Sequence, residues 1–255
     1  MSEMTTATRP AWGTTDRHDS WWAGPLVTFL VLSAFVVYAT VRAFYNADFF
    51  YEKDDLLSPF YSPNFGHWLP RWLSPALVIL WAPAGFRMTC YYYRKAYYRA
   101  FTQHPPACAV AEGRSGDYAG ETAFPLILQN LHRYLMYFAL LFLVFLWHDV
   151  WKALWPNGVP GVTVGTLVLG LNSTLLTFYT LSCHSLRHLV GGKLDCFSCT
   201  AASRARHSAW SKLTKLNENH MLWAWTSLFG VMGADFYVWM VASGHITNLK
   251  LLGSA

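Results

Sequence analysis

The sequence predicts an all-α integral membrane protein, a bundle of five transmembrane helices with its N terminus in the cytoplasm. Hydrophobic residues make up 54% of the 255 residues, whereas charged residues make up only 13%. Long uncharged stretches recur along the chain, and a helix needs roughly 20 apolar residues to cross a bilayer. Thirteen tryptophans add the aromatic content typical of membrane–water interfaces. Composition and spacing therefore favour a membrane bundle over a soluble domain.

Five apolar stretches give the predicted spans. They are residues 25–41, 72–86, 134–147, 161–186 and 221–244. The first, fourth and fifth are long enough to cross a bilayer directly. The second and third reach that length only if basic residues at their ends extend their side chains to the interface. The second also contains Pro75 and Pro83, which disfavour a continuous helix.

Basic residues predict the orientation of the bundle. Thirteen lysines and arginines fall in the N-terminal tail and in two long loops on one side, against five on the other side. Because cytoplasmic loops carry the excess of Lys and Arg, we expect the N terminus to be cytoplasmic. The five cysteines then lie on or near the reducing side, so structural disulfides are not expected.

The predicted layout has three parts. A cytoplasmic tail (1–24) precedes the bundle (25–245), which has cytoplasmic loops at about 94–124 and 188–219, and a short C-terminal tail (246–255) follows. The net charge of +5 is concentrated in the juxtamembrane loops. Anionic membrane lipid or a soluble subunit is the expected neighbour there, so the charge does not predict binding of nucleic acid.

A cluster of potential metal ligands ends the fourth span. His184 and His188 are four residues apart and share a helix face, and a Gly-Gly turn then leads back to Cys196 and Cys199. Two thiols and two imidazoles can hold a Rieske-type two-iron cluster, with both histidines on one iron, or a single tetrahedral zinc ion. Cys183 is a further candidate ligand. The ligand types alone leave the metal open.

Polar residues also open the third and fifth spans at the same predicted depth. His132 and Arg133 begin the third span, and Asn217 and His220 precede the apolar part of the fifth. Polar groups that meet at one level of a bundle indicate a place for a cofactor or a polar ligand. Histidines near both ends of the spans leave a pair of haems as an alternative.

Asp235 is the acid predicted to lie inside the fifth span. A carboxylate within a membrane indicates a functional site, and a buried ion pair with Arg42 or Arg71 is the competing interpretation. Both remain open at the level of sequence.

These motifs resemble the membrane-anchor (cytochrome b-type) subunit of actinobacterial succinate dehydrogenase, respiratory complex II. The resemblance rests on residues 183–188 (CHSLRH) leading to Cys196, on residues 216–221 (LNENHM) followed by Trp223, and on residues 235–238 (DFYV). It implies a multi-pass protein of the bacterial plasma membrane that binds a flavoprotein subunit and an iron–sulfur subunit. Electrons from succinate, oxidised on a partner subunit, would pass through this chain to a membrane quinone.

The resemblance also bears on the cofactor. The better-known five-helix relatives carry two b haems between axial histidines, whereas this sequence has few interior histidines and unusual thiols. We therefore expect a Rieske-type 2Fe-2S cluster at the four ligands named above. The polar residues that open the third and fifth spans are then candidates for orienting the quinone or tuning the cluster. Haem b, or a structural zinc knuckle without a redox role, are the alternatives.

Overall fold

The computed structural model describes residues 10–70, 72–113 and 120–253, which form a bundle of helices. The predicted all-α class is confirmed. In chain order the helices are α1 (Ala23–Tyr45), α2 (Pro75–Ile79), α3 (Trp81–Met88), α4 (Tyr91–Tyr97), α5 (His132–Leu154), α6 (Val164–Leu181), α7 (His184–Gly191), α8 (Ala201–Glu218) and α9 (His220–Ala242). Arg9, Arg71 and Arg114 of the charge argument, and the outer parts of both predicted tails, lie outside the described residues.

Three helical stretches in the described ranges are long and apolar enough to cross a membrane. They are α1, the stretch Leu126–Gly158 that contains α5, and α6. They correspond to the first, third and fourth predicted spans. The fifth predicted span corresponds to α9, which has 23 residues and packs against α6. The total of five spans and the cytoplasmic N terminus remain predictions.

The second predicted span, residues 72–86, is divided between two short helices. α2 ends at Ile79 and α3 begins at Trp81. Pro83 explains the interruption, because proline has no N–H to donate to the carbonyl of Ile79 and its ring clashes with that carbonyl. A second break follows at Cys90, whose backbone is extended (φ −66°, ψ 130°) between α3 and α4.

The fourth predicted span, residues 161–186, also ends early. α6 stops at Leu181, and Cys183 has an extended backbone (φ −63°, ψ 132°) before α7 begins at His184. Much of the predicted loop 188–219 is helical, because α8 occupies residues 201–218. The hydroxyl of Thr200 caps α8 by accepting the Ser203 amide at 3.0 Å.

Two antiparallel strand pairs lie at the end of the bundle where α1 ends and α6 begins. β1 (Phe50–Tyr51) pairs with β2 (Leu56–Leu57), and β3 (Gly161–Thr163) pairs with β4 (Lys250–Gly253). Thr163 ends β3 and caps α6, since its hydroxyl accepts the Thr166 amide at 3.1 Å. The strand pairs therefore hold together the segments that connect the long helices at this end of the bundle.

A buried ion pair joins α1 to α9 near the same end. Asp235 is 0% exposed and accepts the Arg42 Nε–H at 2.8 Å. The hydroxyls of Tyr38 and Ser58 each donate to the same carboxylate at 2.5 Å. Of the two partners considered for Asp235, Arg42 is the one in contact, whereas Arg71 lies outside the described residues. Three donor side chains around one carboxylate explain how a charged group is retained in the apolar interior.

α7 and α8 pack together as a hairpin in which Gly191 lies against Trp210. A Cβ at residue 191 would come within 2.3–2.9 Å of the Trp210 side chain. We expect Gly191→Ala to force the hairpin apart and lower the free energy of unfolding by about 1–3 kcal/mol. The check is the thermal unfolding midpoint of the purified protein. Gly233→Ala in α9, where a Cβ meets nothing within 4 Å, is the control, and equal midpoints for both variants would contradict the packing argument.

Candidate metal centre

The structure does not bring the four sequence-predicted ligands together. Cys196 and Cys199 form a disulfide with each other, their Cα atoms 5.8 Å apart, so both thiols are used. The expectation that disulfides would be absent was wrong, because the turn before α8 brings the two residues into disulfide range. His184 and His188 are exposed on α7. Assignment of these four residues as metal ligands remains a prediction.

A different set of two thiols and two imidazoles meets inside the bundle. Each member lies where a helix begins: Cys90 before α4, His132 as the first residue of α5, Cys183 before α7, and His220 as the first residue of α9. The two cysteines are 3% and 1% exposed and belong to one buried cluster of side chains. Both thiols are free. We call these four residues the buried centre.

Each imidazole of the buried centre contacts one of the two thiols. His132 Nε2 lies 3.2 Å from Cys183 Sγ, and His220 Nε2 lies 3.3 Å from Cys90 Sγ. The two cysteines belong to the same buried cluster of side chains, so the two pairs are neighbours, although 130 residues separate Cys90 from His220. The helix breaks at Cys90 and Cys183 make this possible, because the extended backbone at each break turns a thiol inward.

Hydroxyl groups fix the second nitrogen of each imidazole. Thr89 Oγ1 donates to the Gly85 carbonyl at 2.8 Å, so its contact with His132 Nδ1 at 3.0 Å is as an acceptor. The Nδ1 therefore carries the proton, and Nε2 presents its lone pair to Cys183. A histidine that binds a metal through Nε2 needs this tautomer, with Nδ1 held by a neighbouring group.

The same arrangement recurs at the second histidine. Ser182 Oγ donates to the Tyr179 carbonyl at 2.8 Å and accepts from His220 Nδ1 at 2.6 Å. The Nε2 of His220 then presents its lone pair to Cys90. Asn217, one of the sequence-predicted polar residues, donates to the Ser182 carbonyl at 2.7 Å and so supports this serine. Asn217 therefore acts on the buried centre through Ser182.

Aromatic rings enclose both imidazoles. The Phe86 ring stacks on His132 with centroids 4.7 Å apart, and the Tyr179 ring stacks on His220 at 5.2 Å. The Arg87 guanidinium lies over the same Tyr179 ring, 4.6 Å from its centroid. Stacking restricts rotation of the imidazoles, so their Nε2 atoms are held toward the thiols before any ligand binds.

A repeated pattern in the sequence underlies the buried centre. Thr89-Cys90 and Ser182-Cys183 each place a hydroxyl residue before a cysteine at a helix break. A histidine that opens a long helix follows each pair, 42 residues after Cys90 and 37 residues after Cys183 by subtraction of their numbers. This pairing of Ser/Thr-Cys with a later span-opening histidine is the signal in the sequence for the buried centre.

Within the described ranges, no three His, Cys, Asp or Glu side chains are close enough to share a single metal ion. A Rieske-type cluster has a different requirement, because two protein ligands bind each of its two irons. The donor set of the buried centre, two thiols and two imidazoles, fits that group. The sequence-predicted Arg133 lies outside the centre on the surface, where its Nη2 contacts His188 Nδ1 at 3.2 Å.

Comparison with known proteins identifies the family. A family model described as actinobacterial succinate dehydrogenase subunit SdhC matches residues 23–244. The chain belongs to this family. It is also similar to a chain of the Mycobacterium smegmatis Sdh1 complex solved in the apo form, with 44% identity, a TM-score of 0.87 and coverage of 97% of each chain. No curated protein matches.

Membership of this family confirms several expectations from the sequence. The chain is a membrane-anchor subunit of succinate dehydrogenase and a multi-pass protein of the bacterial plasma membrane. It takes part in a succinate:quinone oxidoreductase, in agreement with the resemblance noted from residues 183–188, 216–221 and 235–238.

Proposed function

We propose that this SdhC subunit holds a Rieske-type two-iron cluster at the buried centre and passes electrons from its partner subunits to a membrane quinone. The supporting observation is that two free, buried thiols of one side-chain cluster each lie 3.2–3.3 Å from an imidazole Nε2. When bound, such a cluster supplies one-electron transfer at potentials of about −150 to +300 mV, a range suited to reduction of quinones. Cys90, Cys183, His132 and His220 would be its ligands.

The protein groups around the centre have separate tasks in this proposal. The hydroxyls of Thr89 and Ser182 hold the imidazole tautomers, and the stacked rings exclude water. Burial of both cysteines keeps them away from soluble oxidants. The end of the bundle that carries these residues also carries the basic tail and loops, so we propose that the flavoprotein and iron–sulfur subunits bind there, on the cytoplasmic side.

The geometry gives less support to a dihaem anchor. The apolar cavity inside the bundle has a volume of about 140 Å³ and lies between Phe86, Leu143 and Leu176. Among the described residues that line this cavity there is no histidine to provide an axial nitrogen for haem iron. The histidines of the buried centre instead face thiols at 3.2–3.3 Å.

A matched pair of cysteine variants tests the proposal. We expect Cys90→Ser with Cys183→Ser to remove two irons and two acid-labile sulfides per purified complex, because both sulfur ligands are lost. Cys196→Ser with Cys199→Ser should leave both contents unchanged. Flavin content and succinate oxidation with an artificial acceptor report whether each complex is assembled. If Cys196→Ser with Cys199→Ser loses iron while Cys90→Ser with Cys183→Ser keeps it, the sulfur ligands are Cys196 and Cys199 and not the cysteines of the buried centre.

The hydroxyl residues give an independent prediction about positioning. Thr89→Val or Ser182→Ala removes the acceptor for an imidazole Nδ1–H, so we expect occupancy of the centre to fall 10- to 100-fold at limiting iron. Any cluster that remains should have a shifted reduction potential. Thr89→Ser keeps the hydroxyl and should retain wild-type occupancy and potential. Equal potentials in Thr89→Val and the wild type would show that the hydroxyl does not act on the centre.

A further inference from the structure

A basic cavity lies between the N-terminal segment, α4 and the start of α1. Its volume is about 400 Å³. The polar and charged side chains at its edge come from three separate segments and include Arg17, Lys95, Arg99 and Cys108. The segment before α1 forms one wall, where Arg17 Nη1 donates to the Cys108 carbonyl at 2.9 Å.

The charge of this cavity is positive. Arg17 is paired with Asp19 by an Nε–Oδ1 hydrogen bond of 2.7 Å, which lowers the pKa of that carboxyl and keeps the pair ionised. Lys95 and Arg99 therefore supply the excess charge. The described residues that line the cavity include no carboxylate. A compact anion with several oxygen acceptors, such as a phosphodiester, has the chemistry to bind there.

An apolar groove continues from the basic cavity along the membrane. It has a volume of about 510 Å³ and lies between α1 and α9. The two cavities share Gly24 and Thr28, so they adjoin. The groove is lined beyond this point by Val27, Val31, Trp225 and Phe229.

A hydrogen bond holds α9 against α4 where the apolar groove adjoins the basic cavity. Trp225 Nε1 donates to the Tyr92 hydroxyl at 2.6 Å, and Tyr92 itself lines the basic cavity. The Trp225 ring stacks on Phe229 with centroids 6.4 Å apart. One continuous surface therefore offers cations at the membrane boundary and a rigid aromatic wall below them.

We propose that this surface binds one anionic phospholipid, with the headgroup phosphate at Lys95 and Arg99 and an acyl chain along the groove between α1 and α9. Basic pockets at the cytoplasmic end of transmembrane helices bind acidic headgroups for this electrostatic reason. The apolar groove distinguishes a lipid from a free anion, because only a lipid fills both parts. The site is separate from the buried centre and does not depend on the identity of the cofactor there.

The test measures phospholipid retained by the purified complex and the response of its thermal midpoint to added lipid. We expect the wild type to retain about one anionic phospholipid by mass spectrometry, and phosphatidylglycerol to raise the midpoint of the delipidated complex. Lys95→Gln with Arg99→Gln should raise the phosphatidylglycerol concentration that gives half of the midpoint shift by 10- to 30-fold. Lys212→Gln with Lys215→Gln, which removes two exposed charges from α8, should behave as the wild type.

A groove variant tests the acyl part of the site. Val31→Trp keeps both cations and fills the groove, so it should lose the retained phospholipid. Equal midpoint shifts with phosphatidylcholine and phosphatidylglycerol would overturn the proposal. Inorganic phosphate that reproduces the full shift would show a free-anion site. Loss of the soluble subunits from Lys95→Gln with Arg99→Gln, with lipid content unchanged, would show that the cations bind a protein instead.

Discussion

Replacement of His132 and His220 by alanine together should abolish quinone reduction by the assembled complex. These residues supply both imidazoles of the buried centre, and each Nε2 lies within 3.3 Å of a cysteine sulfur. We expect the succinate:quinone reductase rate to fall by on the order of 100-fold or more, since even groups that only support a metal ligand contribute 10- to 100-fold. Succinate oxidation with an artificial acceptor should be retained, because that reaction occurs on a partner subunit.

The chain offers a matched control for this experiment. His184→Ala with His188→Ala removes two imidazoles from the neighbouring α7, where both residues are exposed. This variant should keep at least most of the quinone reductase rate. If it loses quinone reduction while His132→Ala with His220→Ala retains it, the surface histidines carry the electrons and the buried centre does not.

Removal of one partner of the buried ion pair should have the largest effect on stability. Arg42→Met leaves the Asp235 carboxylate 0% exposed with only the hydroxyls of Tyr38 and Ser58 as donors. An uncompensated buried charge costs about 3–5 kcal/mol, so the yield of assembled complex and its thermal inactivation midpoint should both fall. Asp235→Asn leaves the Arg42 guanidinium, which is 1% exposed, without its counter-ion, so it should lower both quantities by a similar amount.

A double variant distinguishes loss of charge balance from loss of shape. Arg42→Met with Asp235→Leu replaces both charges with apolar side chains of similar size, and such replacements of buried ion pairs are often neutral. We expect this variant to recover most of the midpoint lost by Arg42→Met alone. A midpoint as low as that of the single variant would indicate that the ion pair has a role that apolar packing cannot replace.

Much of the architecture could be predicted from hydropathy. The helix class and the positions of α1, α5, α6 and α9 followed from long apolar stretches, since insertion depends on length and hydrophobicity. The interruptions were harder to predict. Pro83 indicated one of them, but the stretch around Cys183 contains no proline or glycine and is apolar on its N-terminal side. Hydropathy therefore extended the fourth span past the break at Cys183.

The choice of ligands shows the limit of local spacing. Cys196 and Cys199 are three residues apart, which suggested a chelate, yet the structure joins them as a disulfide. Cys90 and His220 come together over 130 residues, and the Ser/Thr-Cys pattern at the two helix breaks does not show which histidine each thiol contacts. His132 and His220 were recognised as polar groups at one depth, and Cys183 as a further ligand. Only the tertiary structure shows that they form one centre with Cys90.

The spin-resonance spectrum of the purified, reduced complex tests whether the buried centre holds a Rieske-type cluster. We expect a high-field Rieske-type signal in the wild type and in His184→Ala with His188→Ala, and its absence in His132→Ala with His220→Ala. Signals from the partner iron–sulfur subunit should remain in all three samples and serve as the internal standard. A wild-type complex without the Rieske-type signal, or one with a bis-histidine haem spectrum from this subunit, would contradict the account.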